Sequence, residues 1–169
     1  MSSKLSIRFE KARHEDLRRI VEIYNQIIPS RLATADLEPL MTSDREAWFH
    51  SFTPTHPLWV IRNDADEIWG WVGLEPFYGR PAYEHTAEVS IYIDQNARHQ
   101  GLGSQAIQFV IAQLPSLNVT ALAAYIFEHN QPSLGLFKKF GFEQWGFLPA
   151  VAELDGKKRD LVIMGQRFD

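Results

Sequence analysis

The stretch that most constrains this chain runs from a β-branched, apolar segment, Thr86–Ile93, through a polar loop into two glycines one residue apart and a helical pattern. The loop and helix start read NARHQGLGSQAI, residues 96–107. Glycines so spaced let a backbone approach a ligand closely. The first N–H groups of a helix lack intrahelical acceptors and carry a partial positive charge, which suits them to an anion. Arg98 and His99 add charge at the loop, and a pyrophosphate fits the arrangement.

The remaining periodicities predict one mixed α/β layer structure, a single domain over residues 1–169. Leu5, Ile7 and Phe9 alternate as a half-buried strand does. Leu17, Ile20, Val21, Tyr24 and Ile28 follow helical spacing. Ser43 and Glu46 suggest a capping box before a short helix, Ala47–Phe52. Leu58–Arg62 and Ile68–Leu74 read as strands joined by the turn-forming Asn63–Asp66. After Thr86–Ile93, a helix carries Ile107, Val110, Ile111 and Leu114 on one face. Val119–Phe127 is a strand, Ser133–Phe140 a short helix and Leu161–Gly165 a late strand.

Composition narrows the function classes. With 45% apolar and 22% charged residues among 169, the chain is of ordinary globular composition and long enough for a real core. A net charge of −4 argues against nucleic acid or an anionic membrane as partner. The chain contains no cysteine, which removes thiol nucleophiles, disulfides and thiolate zinc sites. No apolar run approaches the roughly 20 residues of a membrane span, and Met1–Glu10 lacks the apolar run of a signal peptide, so the expected address is the cytoplasm.

Two other readings of the glycines compete. Gly101-x-Gly103-x-x-Ala106 fits a dinucleotide fingerprint, and Glu128 lies at a strand end where a ribose-binding acid belongs. That fingerprint places its first glycine at the end of the strand, whereas the loop Asp94–Gln100 intervenes here, and no second βαβ unit follows. A P-loop reading fails because no GKS or GKT is present. A glycine-rich helix start with no ligand is the plainest alternative.

Several separated motifs carry a resemblance to a known family. Arg98-x-x-Gly101-x-Gly103 resembles the Q/R-x-x-G-x-G/A signature of the GNAT N-acetyltransferases, and NQPSLGLFKKFGF, Asn130 to Phe142, resembles their N-x-x-S/A…Y/F-x-x-x-G-F element. IVEIYNQII, ATADLEP and AYEHTAEVSIYI are similar to the phosphinothricin and methionine sulfone acetyltransferase-like branch, so the likeness covers nearly the whole chain. The resemblance implies a twisted mixed sheet whose fourth and fifth strands, here Thr86–Ile93 and Val119–Phe127, splay apart. It implies acetyl-CoA as co-substrate, its pantetheine arm bonded to backbone near Ile91, Tyr92 and Ile93. Its pyrophosphate would lie on Arg98, His99, Gln100, Gly101, Leu102, Gly103 and Ser104, with Asn130 alongside. It also implies a homodimer, to which surface members of the five tryptophans could contribute.

Acetyl transfer to an amine needs a base, because most aliphatic amines are protonated at pH 7. Glu88, in an otherwise apolar and small-residue strand, is the candidate; the branch carries its base in this TAE segment. An outward-facing strand carboxylate is the bland alternative. Without cysteine, direct attack in a ternary complex is expected rather than an acetyl-enzyme. Many members place a tyrosine four residues before the glycine of the G-F pair as general acid; here that position is Phe137, and Tyr125 and Tyr92 are the alternatives, each also readable as core. For a small amino-acid acceptor, the loop FYGRPAYEH offers Arg80 for a carboxylate, with Tyr78 and Tyr83 as aromatic contacts; Arg80 can equally be a solvated loop residue. The tail DGKKRDL replaces the branch's G-x-W-x-D, and Lys157, Lys158 and Arg159 read as anion contacts or a solvated hairpin tip. His14, His50, His56, His85 and His129 show no metal-ligand spacing, and no metal site is expected. Other amines (a peptide N-terminus, a polyamine, an aminoglycoside) and a non-catalytic acyl-CoA-binding domain remain alternatives.

Overall fold

A computed structural model describes residues 6–169. Its frame is a seven-stranded sheet in the order β1-β2-β3-β4-β5-β7-β6. The strands are β1 (Ile7–Lys11), β2 (Leu58–Asn63), β3 (Ile68–Pro76), β4 (Thr86–Ile93), β5 (Ala121–Phe127), β6 (Glu143–Leu154) and β7 (Lys157–Arg167). Every neighbouring pair is antiparallel except β4 and β5. A doubly wound dinucleotide fold is built from parallel strands with crossovers, so this sheet rules out the nicotinamide reading.

Helices α1 (Leu17–Ile27) and α2 (Glu46–His50) cover one face, and α3 (Leu102–Leu117) and α4 (Gln131–Lys139) the other. Along α1 the residues spaced to face the sheet, Leu17, Ile20, Val21 and Tyr24, are all buried. Of these, Ile20 and Tyr24 pack with Leu58, Val60 and Trp71. On the opposite face Ile107, Val110 and Leu114 of α3 meet Val72, Leu74, Val89 and Leu122. β2 is buried along its whole length because it lies between two paired strands and under both layers.

The structure corrects the sequence-derived elements at several points. Glu143–Leu154 is a full strand that the periodicity does not announce; Gly146 and Pro149 interrupt it, and its register with β7 shifts twice. Lys157, Lys158 and Arg159 are not the hairpin tip but the start of β7. The tip is Asp155–Gly156, both at positive φ (53° and 78°), the conformation a two-residue hairpin turn requires. The turn before α2 is held by the Asp44 carboxylate accepting from the Met41 N–H at 2.8 Å, not by a Ser43–Glu46 box. Leu5 lies outside the described residues.

Candidate active site

The parallel pair at the centre of the sheet is short. β4 and β5 are in register only at Thr86–Ala121, Ala87–Leu122 and Glu88–Ala123. From Val89 onward β4 has no strand partner on that side, although it continues to Ile93, and β5 continues to Phe127. The two diverge into a fork, and a cleft of about 490 Å³ opens between them. Unpaired strand groups in such a cleft need partners, and an amide-bearing ligand running through it supplies them.

The floor of the cleft is the start of α3. Gly101 sits at φ 78° with no side-chain cap on the helix, so the first α3 amides are left to whatever occupies the cleft. Gly101 requires its glycine for that backbone conformation, whereas a Cβ on Gly103 would lie 2.9 Å from Leu136 Cδ2. Gly103 therefore makes room for α4 as well as for a ligand. The loop before the helix is fixed by Asp94, a residue that sequence reasoning passed over. Its carboxylate accepts from Arg19 at 2.7 Å, Gln26 at 2.9 Å and the Asn96 N–H at 2.8 Å, tying α1 to the end of β4.

Of the residues expected to hold the coenzyme, Ile91, Tyr92, Ile93, Arg98, His99, Gly101, Leu102, Gly103 and Asn130 line this cleft. Gln100 and Ser104 stand outside its lining. Asn130 is partly committed: it accepts from Ser133 N–H and donates to the Leu32 carbonyl at 3.2 Å. Phe137 is buried against Phe142 and lines the cleft as a purely apolar side chain. Leu136 of α4, with Leu32 and Ala33, completes the wall; no motif points to Leu32 and Ala33, because their contact with the cleft arises only from how the α1–α2 connection folds back.

Glu88 is the last paired residue before the fork. Burial pushes its carboxyl up to about 7, and the negative charge of Glu75 adds to the shift. Glu75 lies directly opposite it on β3 and accepts from Trp48 Nε1–H at 2.6 Å. A carboxyl poised at neutral pH beside a cleft is suited to proton transfer. Tyr92 donates to the Ala33 carbonyl at 3.2 Å, and burial holds its phenol protonated. Tyr125 lines the cleft on the face that Glu88 shares through its Ala123 pairing; burial raises its phenol, with Tyr78 and Glu88 adding to the effect.

Tyr78 and Tyr83 cluster with Phe77 at centroid distances of 4.5–5.8 Å, and through Tyr125 this exposed cluster reaches the cleft mouth. Arg80 is exposed beside it and makes no side-chain hydrogen bond or ion pair among the described residues. His14 and His50, far apart in sequence, converge on Glu46 at 2.8 and 3.5 Å on the outer surface. This is the one group of three metal-capable side chains among the described residues. It plays no part in the cleft.

The chain belongs to the acetyltransferase (GNAT) family, whose profile matches residues 11–142. A Bacillus subtilis protein named "Putative phosphinothricin acetyltransferase YwnH" is 48% identical over 93% of this chain and 96% of its own. A Pseudomonas paraeruginosa L-methionine sulfoximine/L-methionine sulfone acetyltransferase is 29% identical over 91% of this chain and 90% of its own. The crystal structure of a Sinorhizobium meliloti phosphinothricin acetyltransferase in complex with AcCoA superposes with a TM-score of 0.89 at 25% identity, covering 98% of this chain and 89% of that one.

Proposed function

We propose that this enzyme transfers the acetyl group of acetyl-CoA to the amine of a small amino-acid-like acceptor, of the phosphinothricin, methionine sulfoximine or methionine sulfone class, by direct attack in a ternary complex. The observation that carries the reading is Glu88, a carboxyl held near 7 at the point where β4 and β5 part. The open edge of β4 suits the amides of a pantetheine arm, and the uncapped α3 start beside Arg98 and His99 suits a pyrophosphate. Residues that fit the pantetheine arm and the pyrophosphate thus line one cleft.

In the reaction, the Glu88 carboxylate takes a proton from the ammonium, directly or through one water. The freed nitrogen pair attacks the thioester carbonyl carbon, the nitrogen releases its second proton to solvent, the carbon–sulfur bond breaks, and the sulfur leaves with that bond's electrons. Phe137 has no proton to give. The Tyr125 phenol, protonated at neutral pH and on the Glu88 side of the fork, is placed to protonate the departing thiolate and regains its proton from solvent. A β4 N–H freed by the fork is the simplest donor to the carbonyl oxygen. Tyr78, Arg80 and Tyr83 are assigned to the acceptor at the cleft mouth.

The assembly proposed is a homodimer through β6, an edge strand that exposes Trp145 (46%), Phe147 (45%) and Val151 (56%). The proposed address is the cytoplasm; no described helix is long and apolar enough to cross a membrane.

The test is thiol release from acetyl-CoA across phosphinothricin, methionine sulfoximine, methionine sulfone, polyamines and short peptides, with coenzyme binding followed by calorimetry. Turnover is expected with the amino-acid analogues. Glu88→Gln should lower it about 100-fold or more at pH 7, easing as pH rises, with acetyl-CoA affinity unchanged. A wild-type rate in that variant would remove Glu88 as the base. Coenzyme binding without turnover on any amine would leave a binding domain.

A further inference from the structure

We infer that Arg45 binds the α-carboxylate of the acceptor, so that the enzyme is selective for amino acids with a free carboxyl group; the inference rests on the acetyl-transfer reading above. A second, smaller cavity of about 140 Å³ lies against the coenzyme cleft, and the two share Ser90 and Tyr92 of β4 in their walls. Glu75 forms part of this cavity, and Glu88 pairs with Glu75 across the strands, so a molecule seated here has its reactive end at the fork.

One cation lines the cavity, and its setting is that of a binding group. The Arg45 guanidinium stacks at 4.7 Å on Tyr24 and 4.9 Å on Trp48. Stacking covers the faces of the planar group and leaves its N–H edge free for in-plane bonds. Its nearest carboxylate, Asp36, is 3.8 Å away, beyond a good hydrogen bond, and already accepts from the Tyr24 hydroxyl. A stacked, mostly shielded guanidinium with an unfilled edge matches a carboxylate in fork geometry.

A carboxylate in the same lining completes the match. Glu75 and, beside it, Glu88 present acidic groups to an ammonium, while Arg45 presents the positive charge. An α-amino acid carries its two charges one carbon apart, so a small cavity lined by one cation, Arg45, and one carboxylate, Glu75, suits its backbone. About 140 Å³ holds that backbone but not a long side chain, which extends beyond the cavity; the proposed acceptor contacts Tyr78, Arg80 and Tyr83 lie outside its lining. Arg80 then serves the outer polar group of the side chain rather than the carboxylate. A polyamine has no carboxylate for Arg45, and in a peptide the α-carboxyl is an amide.

Methionine sulfone and its carboxamide separate the possibilities. Wild-type kcat/KM should favour the acid by roughly 10- to 100-fold. Arg45→Met should lose about that factor on the acid, mainly through KM, change the amide by less than about threefold and leave acetyl-CoA affinity intact. Arg45→Lys, with charge but no fork, should fall between the two. Calorimetric binding of both compounds in the presence of CoA reads the same selectivity without turnover, and the wild-type comparison needs no variant to fold. Turnover or binding that does not distinguish acid from amide, or an Arg45→Met loss equal for both, overturns the Arg45 assignment alone. Arg45-dependent, carboxylate-selective binding with no turnover on any amine overturns the transfer reading and leaves the carboxylate site standing. Binding of neither compound overturns both.

Discussion

Glu88 sits near 7 for two reasons that belong to different strands: its own burial at the fork, and the charge of Glu75 facing it from β3. The direction of the consequence follows. A raised carboxyl is protonated below about 7, so the base is available only above it, and kcat/KM should rise through that pH. Glu75→Gln removes the repelling charge and keeps an amide oxygen for Trp48. The rising limb should then move to lower pH, with activity at pH 6, taken relative to the pH 8 plateau, up about two- to fivefold. An unmoved limb in a pH–rate series would mean that burial alone sets the proton affinity. Glu88 was legible in the sequence as an acid in an apolar strand near the glycines. Glu75 was not, nor was Arg45, because cross-strand register and aromatic stacking depend on how strands and helices meet.

Among the elements, the strand–loop–helix from Thr86 to Leu117 was the most readable, since its periodicity switches sharply and its glycines mark the join. Structure divides those glycines into two roles. Gly101→Ala places a Cβ at φ 78° and should cost about 1–2 kcal/mol in denaturant unfolding, with acetyl-CoA affinity falling about tenfold as the helix start reorients. Gly103→Ala meets only the flexible end of Leu136 and should cost less. Equal losses in the two would contradict the division. β6 was the least readable element. Its bulges break the alternation, and exposed Trp145, Phe147 and Val151 blur the contrast between a buried and a solvated face that sequence patterns rely on. The neighbouring Asp155–Gly156 turn carried a standard hairpin signal, masked by the three basic residues after it.

For the molecule as a whole, the layers were legible in the sequence but not the order of the strands, and β7 inserting between β5 and β6 puts an apolar edge at the end of the sheet. Phe147→Glu should turn a dimer into a monomer in sedimentation at micromolar concentration, with the melting temperature of the protomer little changed. A wild-type monomer would remove the β6 interface.

The fork has a further implication for cohesion. Strands β1–β4 and β5–β7 form two half-sheets whose shared ladder is three residue pairs long. A coenzyme seated as proposed would fill the open part of that seam, in effect a removable stitch. Ligand that binds only the folded state stabilises it by mass action. The supply of acetyl-CoA that sets the rate of the reaction would then also set how often the seam parts, and with it how long the protein survives proteolysis.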